Sequence, residues 1–482
     1  MIEEHGPAPQ AGTPADEPLD WGLQDFNAFE AVMWRAEADP RLSSTVVALE
    51  ELDREPDWPR FLATHEWGSR MVPRFRQRVV DGPLGLGGPT WVTDERFSLT
   101  HHVHRTELHG GGWNELLERV AAIAMVPFDR RRPPWEAILV TGLPEGRAAY
   151  VLKLHHATLD GAAGMQLLGR MHSRRREPTP DKPQPLPPPV QRPRALVRQA
   201  ARDARALSDL ARRGPGLAAR AALRPDRVVR RGAAYASSLR RVLGDVGAEP
   251  SPLLAHRDGH WCFEAFDVPF AGLRAAAKAA GASLNDAYLA AVLGGFARYH
   301  RARRSPPPDD LPIAIPVSIR RDDDAAGGNR FAGARLAGPL TIDDPVARMH
   351  EIGRRVRARR REVALDATGA VAPALARLPG PALARVVGRA TAGNDLQASN
   401  IPGIREEVYV AGAQVLRFYG FGPLPRCAAM VVMVSHGETC CVTVNHDRAA
   451  IGDREALRRC LVEGFDEVLA LADPGARAVA RR

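Results

Sequence analysis

The chain has 482 residues, 45% hydrophobic and 26% charged, the balance of a globular protein with material for two or three domains. Its longest unbroken apolar run, Cys427 to Val434, is far too short to span a bilayer, and the five cysteines (Cys262, Cys427, Cys440, Cys441, Cys460) form no C-x-x-C pair, which argues against a disulfide framework or a structural zinc site. The formal charge of +9 is local: residues 173–250 hold 18 basic against 7 acidic side chains, so the remainder is slightly acidic. The opening residues Met1 to Pro7 carry no secretory pattern, so a cytoplasmic protein with no more than peripheral membrane contact is expected.

Residues 1–20, rich in Pro, Ala, Gly and acids, read as a disordered tail. An αβ lobe is predicted over 21–172. Within it Leu116, Leu117, Val120 and Ile123 give Trp113 to Ala124 a helical period, and Glu136 to Leu143 and Ala148 to Leu154 read as strands around a turn at Pro144-Glu145-Gly146. Residues 173–255 form a basic linker. Its Pro-dense start, Pro178 to Pro193, cannot continue a helix, and Arg194 to Arg213 sets a Leu/Val/Ala stripe against Arg198, Arg202, Arg205 and Arg212. That amphipathic segment has two readings, a crossover helix packed on the fold or a helix docking on an anionic membrane. A second αβ lobe is predicted over 256–473. It comprises a strand from Trp261 to Val268, a helix from Leu284 to Tyr299 capped by Ser283, a strand from Leu311 to Ile319, later strands at Glu407 to Arg417, Ala428 to Val434 and Thr439 to Asn445, and a closing helix from Arg454 to Leu471. Residues 474–482 read as a tail. The fold class is α/β, two-lobed, with mixed sheets and flanking helices.

The sharpest chemical feature is His155-His156-Ala157-Thr158-Leu159-Asp160-Gly161, between a strand-like and a helix-like run. Adjacent side chains project oppositely in strand geometry, so the two histidines should do different jobs. A neutral imidazole at a strand end can take a proton from a hydroxyl, and the alternative is a buried, hydrogen-bonded histidine with Asp160 as a helix N-cap. Other signals carry less. His109-Gly110-Gly111-Gly112 resembles a lipase loop, yet the chain has no G-x-S-x-G nucleophile elbow. His102 and His104 lack a third ligand, so no metal is expected, and Gly82 to Gly88 is not followed by the G-K-[ST] of a phosphate loop. The basic segment has little aromatic interleaving, so no nucleic-acid partner is expected.

The run from His155 to Gly161 resembles the HHxxxDG signature of the CoA-dependent acyltransferase superfamily, and its surroundings resemble the bacterial wax ester synthase/acyl-CoA:diacylglycerol acyltransferases. Five further segments follow that branch in order: Phe97 to Val103, Pro127 to Glu136 (P-F-D-R-R-R-P-P-W-E), Leu284-Asn285-Asp286, Pro316 to Arg320 (P-V-S-I-R) and Ser399 to Gly403 (S-N-I-P-G). Phe128 and Pro134 depart from the usual leucines, at positions read as packing.

The resemblance implies a substrate tunnel between the lobes and transfer of a fatty acyl group from acyl-CoA to diacylglycerol or a long-chain alcohol, with no cofactor. His156 would be the general base, with His155 and Asp160 completing the catalytic motif. Asp160 would be structural and paired with Arg320, and Gly161 and His155 would fix the loop. Ser399 and Asn400 are candidates for the oxyanion, with Asn285 and Asp286 as further substrate-contact candidates. The basic linker could hold the enzyme at anionic membrane, on its inner face, or at lipid inclusions. Two alternatives stand beside this reading, a condensation-type enzyme with a carrier-bound acyl donor and a non-catalytic lipid-binding or scaffold protein.

Overall fold

A computed structural model describes residues 26–81, 88–159, 161–179, 247–318, 331–362 and 375–480, with the single positions 208, 212 and 372. The first half supplies strands β1 (Thr45–Leu52), β2 (Gln77–Val80), β3 (Thr90–Thr93), β4 (Val103–Glu107), β5 (Trp135–Thr141) and β6 (Ala148–His155), with helices α1 (Ala28–Ala36), α2 (Trp58–Met71), α3 (Trp113–Met125) and α4 (Gly161–Met171). The second half supplies β7 (Trp261–Pro269), β8 (Asp310–Ser318), β9 (Phe331–Pro339), β10 (Leu396–Ile401), β11 (Tyr409–Val410), β12 (Ala413–Phe421), β13 (Ala429–His436), β14 (Thr439–Asp447) and β15 (Val479–Ala480). Its helices are α5 (Phe270–Ala279), α6 (Leu284–Ala302), α7 (Pro345–Arg360), α8 (Gly380–Ala392) and α9 (Arg454–Leu469).

Apart from β2 and β3, which pair as a separate two-stranded sheet, these strands build two mixed sheets, ordered β11-β12-β1-β6-β5-β4 and β15-β7-β14-β13-β10-β8-β9. The fold is α/β and two-lobed. In the first sheet β6 runs antiparallel to both β1 and β5, and all eight of its residues are buried. A strand covered on both faces needs an apolar run rather than alternation, which is what Ala148 to Leu154 provides. In α3, Leu116, Leu117, Val120 and Ala124 turn into this core. The second core forms around α6, which starts on a Ser283/Asp286 capping box and lays its buried face on α9.

Three expectations need correction. The segment Glu407 to Arg417 is not one strand. Ala411 and Gly412 adopt φ of 48° and 89° and turn the chain between β11 and β12, and β12 continues to Phe421. Both of these strands join the first sheet, with β12 antiparallel to β1, so the span 256–473 divides between the two sheets rather than forming one lobe. Alternation says that a strand has a buried face but not which sheet it joins. The predicted tail 474–482 contains β15, an edge strand paired with β7. The ends of the linker are pinned. Ser173 pairs through both backbone groups with Tyr409, and the Ser251 amide donates to buried Asp395 (2.6 Å) while its hydroxyl meets His300 Nε2 at 2.8 Å. The predicted tail 1–20 and the amphipathic segment Arg194 to Arg213, positions 208 and 212 apart, lie outside the described residues.

Candidate active site

Strand β6 ends at His155 and the chain turns through residues 156–158 into α4. The two histidines part there. His155 is fully buried, its backbone N–H donating to Pro134 O (3.0 Å). Its Nδ1 accepts from the Ala157 amide (3.0 Å), which places the ring proton on Nε2, 3.2 Å from Glu37 Oε1. Trp34 meets the ring edge-on at 4.9 Å. Buried, with Nδ1 bonded and Nε2 facing the Glu37 carboxylate, His155 is a fixed ring. His156 is half-buried on the turn, its backbone N–H donating to Ser44 O (2.8 Å).

Glu37 links the two. Its carboxylate faces His155, accepts from the Ser44 amide (2.7 Å) and stands 3.7 Å from Arg130. Burial works to raise this carboxyl, but the His155 ring, the Ser44 amide and Arg130 together hold it below its usual value. A second ion pair holds the turn from the other side. Arg74 bonds Glu30 through two nitrogens (2.9 and 3.2 Å), and Nη1 also donates to the carbonyls of Ala157 (2.8 Å) and Thr158 (3.3 Å). The P-F-D-R-R-R-P-P-W-E segment braces the same place. Trp135 is sandwiched between Phe75 and His102 at 4.8 and 4.6 Å, its indole N–H donates to Phe75 O, and Arg130 lies over the Trp34 ring. Phe128 lies under the buried Lys153 ammonium at 4.5 Å.

Sequence reasoning missed Glu37, Glu30 and Arg74. One signal was available for Glu30: Asn27-x-x-Glu30 is a capping box, with Asn27 Oδ1 accepting from the Glu30 amide (2.8 Å) and the Glu30 carboxylate from the Asn27 amide (3.0 Å). No local pattern announces Glu37 or Arg74, whose partners are distant in sequence.

The S-N-I-P-G segment arrives at the motif from the second sheet. A Cβ on Gly161 would stand 3.0 Å from Ile401 Cδ1, so the motif glycine packs directly on the end of β10. Ser399, two residues back along β10, shares the Ile401 face and is 8% exposed, while half-buried Asn400 points the other way. Gly403 is required by close approach. Its amide donates to Ser435 Oγ (3.1 Å), and a Cβ there would stand 2.0 Å from Ser435 O. Asp286 is used elsewhere: its Oδ2 accepts from the Ser283 amide (3.1 Å) and hydroxyl (2.7 Å), closing the cap of α6. Asn285, its neighbour in the first turn, is half-buried. Asp160 and Arg320 lie outside the described residues, and so does their expected pairing. His102 is buried with Nδ1 on Trp135 O (2.8 Å), whereas His104 is exposed on β4.

Two family models match the chain, a wax ester synthase/diacylglycerol acyltransferase catalytic domain over residues 17–288 and a WS/DGAT C-terminal domain over residues 327–468. A protein of Mycobacterium tuberculosis H37Rv named "Putative diacyglycerol O-acyltransferase" is 43% identical over 456 residues, covering 93% of this chain and 92% of that one. A second protein of the same name and organism is 31% identical over 355 residues, 72% of this chain and 77% of its own length. Among solved structures, a wax ester synthase/diacylglycerol acyltransferase from Marinobacter aquaeolei VT8 superposes with a TM-score of 0.62 at 20% identity, covering 93% of this chain and 99% of that one. The first condensation domain of the calcium-dependent antibiotic synthetase superposes equally, with a TM-score of 0.62 at 16% identity and coverage of 95% and 98%. Identities this low carry the fold and nothing finer.

Proposed function

We propose the following for this chain, which belongs to the wax ester synthase/diacylglycerol acyltransferase family and is an acyltransferase of that type: His156 is the general base that moves a fatty acyl group from acyl-CoA to the hydroxyl of a diacylglycerol or a long-chain alcohol. The imidazole takes the proton of the hydroxyl as its oxygen forms a bond to the thioester carbonyl carbon. The tetrahedral intermediate collapses, the C–S bond breaks and the imidazolium returns the proton to the thiolate, releasing ester and free CoA. The thioester is already activated, so this route calls on no metal or redox cofactor.

The observation that carries the assignment is the contrast within the histidine pair. His155 is fully buried, with Nδ1 taken by the Ala157 amide, whereas His156 is half-buried on the turn. Glu37 and Arg74 are positioning residues that fix the turn presenting it. For the oxyanion, Ser399 is preferred over Asn400, since it shares the face of β10 that packs on Gly161. Asn285 and Asp286 are left out of the chemistry, the latter because its carboxylate serves the cap of α6.

The test is to incubate purified protein with palmitoyl-CoA and either dioleoylglycerol or hexadecanol and to resolve the neutral lipids formed. Ester is expected, and His156→Ala should lower its rate by about 10²–10⁴-fold at unchanged thermal stability. Ester formation surviving in that variant would overturn the role of His156. Among the described residues no helix is long and apolar enough to cross a membrane. We assign contact with the lipid surface to the basic segment 173–250, whose surplus of arginine suits anionic headgroups. Binding to phosphatidylglycerol vesicles should then fall with salt and with neutralisation of those arginines, and salt-independent binding would refute the assignment.

A further inference from the structure

Among the described residues only four large apolar side chains are exposed, and two of them, Met125 (37%) and Val126 (57%), are consecutive. Met125 ends α3, Val126 caps it, and exposed Pro127 continues the run into the P-F-D-R-R-R-P-P-W-E segment. A lone exposed valine needs no explanation, but a run of apolar residues at the surface does. This one lies where the two sheets meet, since Met125 Sδ accepts from the amide of Trp261, the first residue of β7 (3.4 Å).

The run is fastened from inside. Lys153 of β6 is fully buried, two residues before His155 on the same face of the strand, and its ammonium donates to Val126 O (2.7 Å). The same ammonium lies over the Phe128 ring at 4.5 Å, and Glu136 stands 3.5 Å from it. Phe128 in turn faces the ring of His155 at 6.4 Å. Taking an ammonium out of water costs several kcal/mol, so this is an expensive way to hold a surface carbonyl in place. Its effect is to turn the Val126 carbonyl inward while the side chain stays outside.

Beyond Phe128 the chain turns through three arginines. Arg130 and Arg131 are exposed and Arg132 is half-buried, and Asp129 answers both Arg131 (3.0 Å) and Arg132 (3.5 Å). Three arginines against one aspartate leave residues 125–132 with a surplus of two positive charges. Arg130 also covers Trp34 and stands 3.7 Å from Glu37, the carboxylate that faces His155. An apolar tip with a cationic rim suits an anionic bilayer, which takes both apolar burial and positive charge. A second copy of this chain fits less well, because a two-fold contact would set these arginines against their own counterparts.

We propose that Met125, Val126 and Pro127, with Arg130 to Arg132 beside them, form a docking edge for an anionic lipid bilayer, clamped from inside by Lys153. The apolar tip enters the headgroup boundary and the guanidinium groups stay with the phosphates. The histidine turn then sits at the surface where a water-insoluble alcohol resides, a consequence that rests on the acyl-transfer reading above. This edge is separate from residues 173–250 and adds apolar insertion to the charge attraction assigned there.

The test places a nitrobenzoxadiazole label on V126C in the full chain carrying C262S, since the other four cysteines are buried. With phosphatidylglycerol vesicles the emission should shift to the blue and be quenched by nitroxide-bearing acyl chains. Phosphatidylcholine vesicles should need about tenfold more lipid for the same change. The control label is V479C, exposed on β15 and paired with Asp267, six residues along β7 from Trp261; it should stay in water. M125D should weaken vesicle binding of the V126C label about tenfold at unchanged melting temperature. In K153M the blue shift should shrink, and a full shift there would overturn the clamp. A V126C label that stays in water with both lipids, or a shift of equal size at V479C, would overturn the edge. A blue shift that grows with protein concentration without lipid would assign the surface to a second copy and overturn it too. None of these readings needs turnover, so failure to form ester would count against the reaction and not against the edge.

Discussion

Arg74→Ala is the substitution whose cost follows most directly from the site. Arg74 and Glu30 are paired at 2.9 Å with side chains 9% and 0% exposed, so removing the guanidinium leaves a buried carboxylate without that counter-charge. Losing one partner of such a pair costs about 3–5 kcal/mol. The carbonyls of Ala157 and Thr158 lose a charged donor as well, worth about 1 kcal/mol each. A loss of about 5–7 kcal/mol is a large part of the 5–15 kcal/mol that holds a typical domain together. E30A/R74M removes both charges and refills the space of the arginine with an apolar chain. That double variant should lose only about 1–3 kcal/mol, less than R74A alone. Urea unfolding followed by tryptophan fluorescence on the wild type, E30A, R74M and E30A/R74M closes the cycle, with R74A measured beside it. Turnover should not recover with stability: in the double variant the two carbonyls still lack their donor, so kcat stays low while KM for acyl-CoA moves little. Additive single costs, or an R74A penalty under about 1 kcal/mol, would refute the buried-pair account.

The glycines of the two motifs should behave differently. Gly403→Ala puts a methyl 2.0 Å from a backbone oxygen, which cannot yield, and should cost about 3 kcal/mol or more, whereas Gly161→Ala meets the end of a flexible isoleucine and should cost about 1 kcal/mol; equal melting temperatures would contradict this. Asp286→Ala removes a capping carboxylate and should lower stability by about 1 kcal/mol with kcat/KM retained, while a selective loss of activity would return Asp286 to the substrate. Burial holds His65, His102 and His446 at about 4. The unfolded chain protonates these rings near 6.5, so it takes up more protons than the native state between pH 6.5 and 4, and stability falls as pH falls through that window, by about 2 kcal/mol per histidine at pH 5. Denaturation midpoints that do not differ between pH 7 and pH 5 would exclude this.

How much was legible depended on how local each signal was. The helix at Ser283 and the strand at Ala148 to Leu154 declared themselves through a cap and an apolar run, both short-range patterns. The HHxxxDG segment told of two histidines with opposite fates, because a strand end forces adjacent side chains apart. The division of the second half between two sheets was not legible, since Ala413–Phe421 reads as a strand wherever it pairs. Glu37 was invisible for a different reason. A single acid after a short helix gains meaning only when a tertiary contact sets it against His155. Gly403 was readable as a motif letter, but the reason for it, the backbone oxygen of Ser435, lies on a neighbouring strand.

The placement of β12 beside β1 has a consequence for synthesis on the ribosome. The backbone bond from Gln414 to the Asp53 carboxylate joins residues 361 positions apart, and β1 has an open edge until that partner exists. The growing chain must therefore carry an unfinished first sheet through most of its translation, exposing a ladder edge to which other nascent chains could add. Chaperone dependence during expression, and misassembly of fragments ending before residue 413, follow from the topology itself.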